Sequence, residues 1–224
     1  MPDDHRPDLY ISADVETDGP VPGPYSLLSF GMAVAGTFDG DIVRRAAQPQ
    51  TFYRELRPIS DEFQDEALEV NGLDRNRLLI EGTEPPAAMD DAAAWVREVS
   101  TEYRPVLVAY PVAFDWSFLY WYFEMFAQSG SPFGHSSCLD IRTLYQAHAG
   151  TVFDMSSKRH MPPELVPQQP HTHNALDDAL EQAELFINVL TWAMQGRIDR
   201  RRDALPARIS STPSWLARRV VPLA

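Results

Sequence analysis

Leu9-Tyr10-Ile11-Ser12-Ala13-Asp14-Val15-Glu16-Thr17-Asp18-Gly19 is the stretch on which the reading of this chain turns. Leu9 to Ala13 is a short apolar run that reads as a buried strand. It ends at Asp14, and Glu16 follows two residues later. Successive side chains of a strand alternate between its faces, so both carboxylates point to the same side. A buried strand that delivers two acids to one place needs partner strands and covering helices, and the rest of the chain supplies them.

Tyr25 to Val34, closed by Gly36, reads as a second strand, and Thr51 to Leu56 as a third. Asp39-Gly40 between them is a tight-turn signal and predicts antiparallel pairing. A helix is expected over 61–70, with Ser60 as its cap and Asn71-Gly72 as its stop. Met89, Ala92, Trp95, Val96 and Val99 recur at helical spacing after Pro85-Pro86, which predicts a second helix over 86–101. Val106 to Ala109 is a fourth strand. It leads into a very aromatic helix expected from Asp115 to about Ala127. Cys138 to Ile141 is a short strand before a helix near 142–148. Residues 150–172 have little periodicity and read as a loop. The last long helix starts near Asn174, with Leu176, Leu180, Ala183, Ile187, Leu190 and Met194 as its apolar stripe. This order describes a mixed α/β sheet, antiparallel in its first three strands and parallel thereafter, flanked by helices.

The 224 residues are 44% apolar and 11% aromatic, which suits one well-filled core. A single cysteine, Cys138, excludes an internal disulfide and an all-cysteine zinc site. The acidic start Met1-Pro2-Asp3-Asp4-His5 lacks an apolar run, and no stretch approaches the length of a membrane span. A cytoplasmic protein with no membrane partner is therefore expected. The formal net charge of −13 argues, at face value, against binding phosphates. That charge is uneven. Residues 197–224 hold seven arginines and two acids, which leaves a net −18 on the first 196 residues. The expected organisation is one domain over 1–196 and a basic tail over 197–224. Such tails often bind polyanions, though a solvated end resting on the body's own acids is the plainer reading.

Two further acids fall where α/β folds collect functional groups, at strand ends and helix starts. Asp115 opens the aromatic helix, a role that would also suit a plain N-cap. Asp178 lies in the first turns of the last helix, just after His173. Four carboxylates brought together repel one another unless a cation neutralises them. Hard divalent ions such as Mg²⁺ or Mn²⁺ take oxygen ligands and fit a chain poor in cysteine.

These segments together resemble the DnaQ-like, DEDDh 3′→5′ exonucleases, of ribonuclease H-like fold. Ser12 to Gly19 is similar to the family's first motif, and Ala109 to Leu119, with Phe114-Asp115, to its second. His173-Asn174-Ala175-Leu176-Asp177-Asp178-Ala179 is similar to the third, with histidine five residues before aspartate. Cys138 to Leu144 resembles the segment carried between motifs two and three. The resemblance covers about 8–190, and the motifs occur in the right order on the right elements. It implies that Asp14, Glu16, Asp115 and Asp178 ligate two Mg²⁺ or Mn²⁺ ions and that His173 is the general base. His173 is preferred to His171, and Asp178 to Asp177, because only that pair has the family spacing. The implied reaction is hydrolysis of terminal phosphodiesters of single-stranded nucleic acid from the 3′ end, releasing 5′-monophosphates.

The pattern departs from the family at Tyr110-Pro111, where the second motif usually carries His-Asn. Thr17, Asp18 and Gly19 are expected beside the terminal nucleotide, with Pro20 or Val21 as an apolar wedge. In the run Phe114 to Phe123, most rings are expected in the core or at a homodimer surface, with Trp116 or Tyr120 facing substrate. Lys158-Arg159-His160 is the best basic patch of the body, and Arg159 is its candidate phosphate contact. A lone domain of this size suggests trimming of short strands, with RNA favoured over DNA. The competing readings are a non-catalytic nucleic-acid or protein binding module that keeps the exonuclease fold, and an enzyme acting on a small nucleotide phosphodiester.

Overall fold

The computed structural model describes residues 6–203, with side chains described as far as 196. The basic tail expected over 197–224 therefore lies outside the described side chains. The chain divides into two units, 1–193 and 194–224.

The first unit is built on a six-stranded mixed sheet. Its strands are β1 (Asp8–Thr17), β2 (Leu27–Phe38), β3 (Val43–Arg45), β4 (Thr51–Glu55), β5 (Arg104–Ala109) and β6 (Cys138–Asp140). The order across the sheet is β3-β2-β1-β5-β6, with β4 also pairing with β2. β1 pairs antiparallel with β2 and parallel with β5, and β5 pairs parallel with β6. The helices are α1 (Asp65–Asn71), α2 (Arg75–Glu81), α3 (Pro85–Val99), α4 (Val112–Phe126), α5 (Ile141–Ala149) and α6 (Ala175–Asp203).

β1 separates two layers by its pleat. Leu9, Ile11, Ala13 and Val15 join the core formed with Phe30, Met32, the buried side of α3 and Phe118, Leu119, Tyr122 and Phe123 of α4. Tyr10, Ser12, Asp14 and Glu16 face the other way. There Tyr10 meets Phe186 of α6 at a ring distance of 4.6 Å, and Asp14 bonds Gln182 of the same helix. What reads as one apolar run is thus a strand with an apolar face and a face that becomes polar towards its end.

Several boundaries differ from the sequence reading, each for a local reason. β1 does not end at Asp14. It continues to Thr17, because β2 keeps pairing with it, Asp14 to Gly31 and Glu16 to Ser29. Gly36 lies inside β2, where a Cβ would sit 2.2 Å from the Arg44 carbonyl oxygen of β3, so glycine permits the close approach. Asp39-Gly40 does turn the chain, but into the short β3 before β4 resumes pairing further along β2. The helix expected over 61–70 is the shorter α1, and a second short helix, α2, follows it unforeseen. Gln64, not Ser60, precedes the first, which ends at Gly72 with φ 67°. Asp74 then caps the second by accepting from the Arg77 N–H at 3.1 Å. α4 starts at Val112, so Asp115 lies inside its first turn and Pro111 takes the cap position. The Tyr110-Pro111 peptide is cis. The loop over 150–172 contains two short 3₁₀ turns, Phe153–Ser156 and Lys158–His160. In α6 the buried set includes Ala175, Asp178, Ala179, Gln182, Phe186 and Val189, whereas Leu176 and Leu180 are only half-buried.

Gly31 fixes how α6 meets the sheet. A Cβ there would lie 2.3 Å from the Ala175 carbonyl oxygen and 2.5 Å from the Leu176 Cα, both backbone atoms that cannot yield. Since Gly31 is the register partner of Asp14, this contact seats the start of α6 on the carboxylate end of β1. Gly31→Ala should therefore destabilise the protein by roughly 1–3 kcal/mol, as overpacking does, and weaken divalent-ion binding in parallel. Thermal melts with and without Mn²⁺ check this, and an unchanged melting temperature and ion response would contradict it.

Candidate active site

The site begins where the sheet loses a strand. Pairing between β1 and β5 runs only from Asp8–Arg104 to Ser12–Val108. After Ala109 the chain leaves the sheet for α4, so the next backbone donors of β1 on that edge have no strand partner. An unpaired buried N–H is costly, and here a side chain meets it. Asp115 Oδ1 accepts from the Val15 N–H at 3.1 Å, which docks the first turn of α4 against β1 midway between Asp14 and Glu16. Asp140 ties in the neighbouring elements, one oxygen accepting from Thr143 N–H at the start of α5 and the other from Val112 N–H at the start of α4, 2.6 and 2.9 Å.

α6 brings the fourth acid. Asn174 Oδ1 accepts from Leu176 and Asp177 N–H and opens the helix. Asp178, fully buried in the first turn, accepts from the backbone N–H of Thr172 at 2.7 Å and of His173 at 2.9 Å. It also lies 3.1 Å from His171 Nδ1. The 171–174 segment is thereby folded back over the helix start. His173 takes a positive φ of 58° there, a conformation histidine adopts more readily than most residues. Both rings are exposed and meet edge to face at 4.5 Å.

Carboxylate oxygens of Asp14, Glu16 and Asp178 lie within 4.8 Å of one another. Asp115 stands just outside that set, against the β1 backbone. His171, His173 and Asp178 form a second group of the same tightness. All four acids are at most 9% exposed. The electrostatic consequence is strong. Burial, then the charges of Asp115, Glu16 and Asp178, push Asp14 well above the ordinary carboxylate range, with Lys158 opposing. Burial, then Asp178 and Asp115, raise Glu16 to about 8. Burial raises Asp115 to about 7 against the hydrogen bonds it accepts. Buried oxygens this close and this reluctant to ionise fit a hard divalent cation, which would supply the missing positive charge.

Gln182, absent from the sequence reading, holds the arrangement in register. Its Nε2 donates to Asp14 Oδ1 at 2.6 Å, and its Oε1 accepts from the Tyr110 N–H at 2.6 Å. One turn past Asp178 on α6, this amide links the first motif to the β5–α4 connection. The signal was its position four residues after Asp178, on the same helix face. Lys158 is a second supporting group, with its Nζ 2.5 Å from the buried Glu181 and its backbone N–H donating to the Tyr110 hydroxyl.

The expected nucleotide-side residues divide. Thr17 Oγ1 donates to the Gly19 carbonyl at 2.9 Å, and the Thr17 carbonyl accepts from Asn71. Asp18 is fully buried. Its carboxylate accepts from the Ser26 N–H and pairs with Arg75 Nε at 3.0 Å, so the side chain organises the loop. Gly19 lies under the Tyr25 ring, where a Cβ would come within 2.2 Å of it. Trp116, next to Asp115 on α4, is half-buried against the core and stacks on Tyr120, rings 5.2 Å apart and 13° from parallel. Arg159 is exposed on the second 3₁₀ turn.

Fold, acid cluster and relatives together mark a 3′→5′ exonuclease with a ribonuclease H-like sheet. The RNase T exonuclease family model matches residues 13–186, and the chain belongs to that family. A relative from Escherichia coli, the 3′-5′ DNA exonuclease Cap18, is 34% identical over 194 residues, covering 86% of this chain and 97% of its own. Among solved structures, a full-length 3′-exonuclease superposes with a TM-score of 0.62 at 16% identity, over 84% of this chain and 62% of that one. The nuclease domain of 3′hExo, a DEDDh member bound to rAMP, gives 0.61 at 15% identity, over 82% and 92%. Escherichia coli Exonuclease I in complex with a dT13 oligonucleotide gives 0.57 at 18% identity, over 87% and 43%. Among the described residues no helix is long and apolar enough to cross a membrane.

Two predictions follow from the geometry. Where a carboxyl group's folded pKa is raised, its contribution to stability is fully present only below the unfolded value of about 4 and is lost as pH rises to the folded values of about 7 and 8, because the unfolded chain ionises first. The melting temperature of the protein in chelator should thus fall between roughly pH 4 and 8, and Mn²⁺ should flatten the fall. A rise over the same window without metal would contradict this. Separately, Gln182→Met, which keeps volume but removes both hydrogen bonds, should weaken Mn²⁺ binding roughly 10–100-fold by calorimetry, as loss of a ligand-orienting partner does.

Proposed function

We propose that this chain hydrolyses the terminal phosphodiester at the 3′ end of single-stranded DNA with two Mg²⁺ or Mn²⁺ ions, releasing 5′-monophosphates. The observation that carries this reading is the convergence of the buried Asp14, Glu16 and Asp178 carboxylates, with Asp115 beside them, burial holding Asp14, Glu16 and Asp115 above the ordinary carboxylate range. A cluster of that kind has little structural use, because it opposes folding near neutral pH. The preference for DNA rests on Cap18, named as a DNA exonuclease and similar over nearly its whole length, and it replaces the RNA preference drawn from the sequence alone.

Asp14, Glu16, Asp115 and Asp178 would hold the ions, which when bound acidify water and offset charge on the attacking and leaving oxygens. His173 takes the proton from the attacking water. Its exposed ring at the edge of the acid cluster and its backbone tether to Asp178 suit that role. Gln182 keeps Asp14 oriented through its amide, leaving the second carboxylate oxygen for an ion. Thr17, Asp18 and Gly19 shape the loop beside the terminal nucleotide. A second reading gives the proton to His171, whose Nδ1 is already 3.1 Å from Asp178.

The test is shortening of 5′-labelled single-stranded DNA and RNA of equal sequence. Asp14→Ala and Asp178→Ala should abolish it, and DNA should be the faster substrate. His173→Ala should lower kcat by about 10²–10⁴-fold, the span of general-base catalysis. If only His171→Ala does so, the second reading holds. Metal-independent binding with no shortening by the intact chain would favour the binding-module alternative.

A further inference from the structure

From the chemical centre a groove leads away between the β5–α4 connection, α5 and the 3₁₀ turns. It encloses about 760 Å³ and is lined by Tyr110, Arg142, Ser157, Lys158, Arg159 and His171. Two of these groups tie it to the acids. His171 Nδ1 lies 3.1 Å from Asp178, and the Tyr110 N–H shares Gln182 with Asp14. The groove is cationic in a body of net −18, with Asp154 the acid on its wall. Lys158 is paired with Glu181, but the Arg159 side chain has no ion pair or hydrogen bond among the described residues.

Its rim is apolar. Phe153 is 55% exposed, flanked by Val152 and Met155. The Arg142 guanidinium sits 3.7 Å from the centre of the Phe153 ring, covering one face. Arg142 is itself fixed by donating to Ser156 Oγ and to the Phe153 carbonyl, 2.9 and 2.8 Å. Phe153 is therefore a braced and largely exposed ring, held by an arginine that also lines the groove. An aromatic platform interleaved with cations is the device by which single strands are held, bases on the ring and phosphates on the charge.

We infer that this groove takes the nucleotides on the 5′ side of the scissile bond, with a base stacked on Phe153 and a phosphate on Arg159. The inference rests on the exonuclease reading above. A 3′ terminus has nothing beyond it, so a tract continuing from the centre can receive only the upstream strand. Specificity then arises without base-edge readout: the tract distinguishes unpaired strands, whose bases can turn onto the ring, from duplexes, whose bases cannot.

The experiment is fluorescence anisotropy of 3-nucleotide and 12-nucleotide single-stranded DNA with Ca²⁺ in place of the reactive metals, on the intact chain and on Phe153→Ala, Phe153→Trp and Arg159→Glu. Phe153→Ala should weaken binding of the 12-mer by roughly five-fold or more, the loss of one stacked base, and reduce the preference for the 12-mer over the 3-mer. Phe153→Trp should restore that preference. Arg159→Glu should weaken the 12-mer and make its affinity less dependent on salt. Equal losses at both lengths, or none, would overturn the tract. If the intact chain shortens DNA while these variants keep the length preference, the tract alone fails. If the intact chain neither binds nor shortens DNA, both readings fail.

Discussion

Buried carboxylates repel one another, and that repulsion at the end of β1 is the constraint around which the rest of the first unit is arranged. Asp14, Glu16 and Asp178 share a space of under 5 Å with Asp115 alongside, and Lys158 is the cation that opposes their charge. Left to itself such a cluster would push α4 and α6 away from the sheet. The fold resists by giving three of the four acids a fixed partner. Val15 N–H anchors Asp115, the Gln182 amide anchors Asp14, and the Thr172 and His173 N–H groups anchor Asp178. These bonds hold ionisable oxygens in place before any ion arrives, so the strain is stored in protonation rather than in backbone movement. Preorganised charge of this kind is what metal-assisted hydrolysis of a phosphodiester demands.

The early end of the β1–β5 ladder makes this possible. Parallel pairing that continued past Ser12 would have filled the edge where Asp115 now docks. Gly31 acts from the other side, admitting the α6 backbone where any side chain would exclude it. The site is therefore a place where two helices replace a strand and a side chain, and each replacement carries an acid inward.

Much of this was legible in the residues. The pairing of Asp14 with Glu16 follows from strand period alone, and the order of elements from apolar spacing and turn signals. The spacing of His173 and Asp178 marked the start of α6. What stayed hidden depends on contacts between distant segments. Gln182 looks like one polar residue among several on a helix until the β5–α4 connection is placed beside it. Asp18, expected beside the terminal nucleotide, is fully buried and pairs with Arg75, 57 residues later. The buried face of α6 keeps Ala183, Ile187 and Leu190 of the expected stripe and widens to take in Asp178, Gln182, Phe186 and Val189, which periodicity alone does not resolve. The net charge of −13 misleads for a related reason, since charge placement rather than its sum decides what the surface accepts.

The central claim, that the acid cluster is a divalent-metal centre acting at a DNA 3′ end, is tested most directly by a crystal structure with Mn²⁺ and a deoxynucleoside 5′-monophosphate, with the ions located by anomalous scattering. The account predicts two peaks between the carboxylates of Asp14, Glu16, Asp115 and Asp178, bridged by a phosphate oxygen. Peaks held only by His171 and His173, or none within the cluster at saturating Mn²⁺, would contradict it.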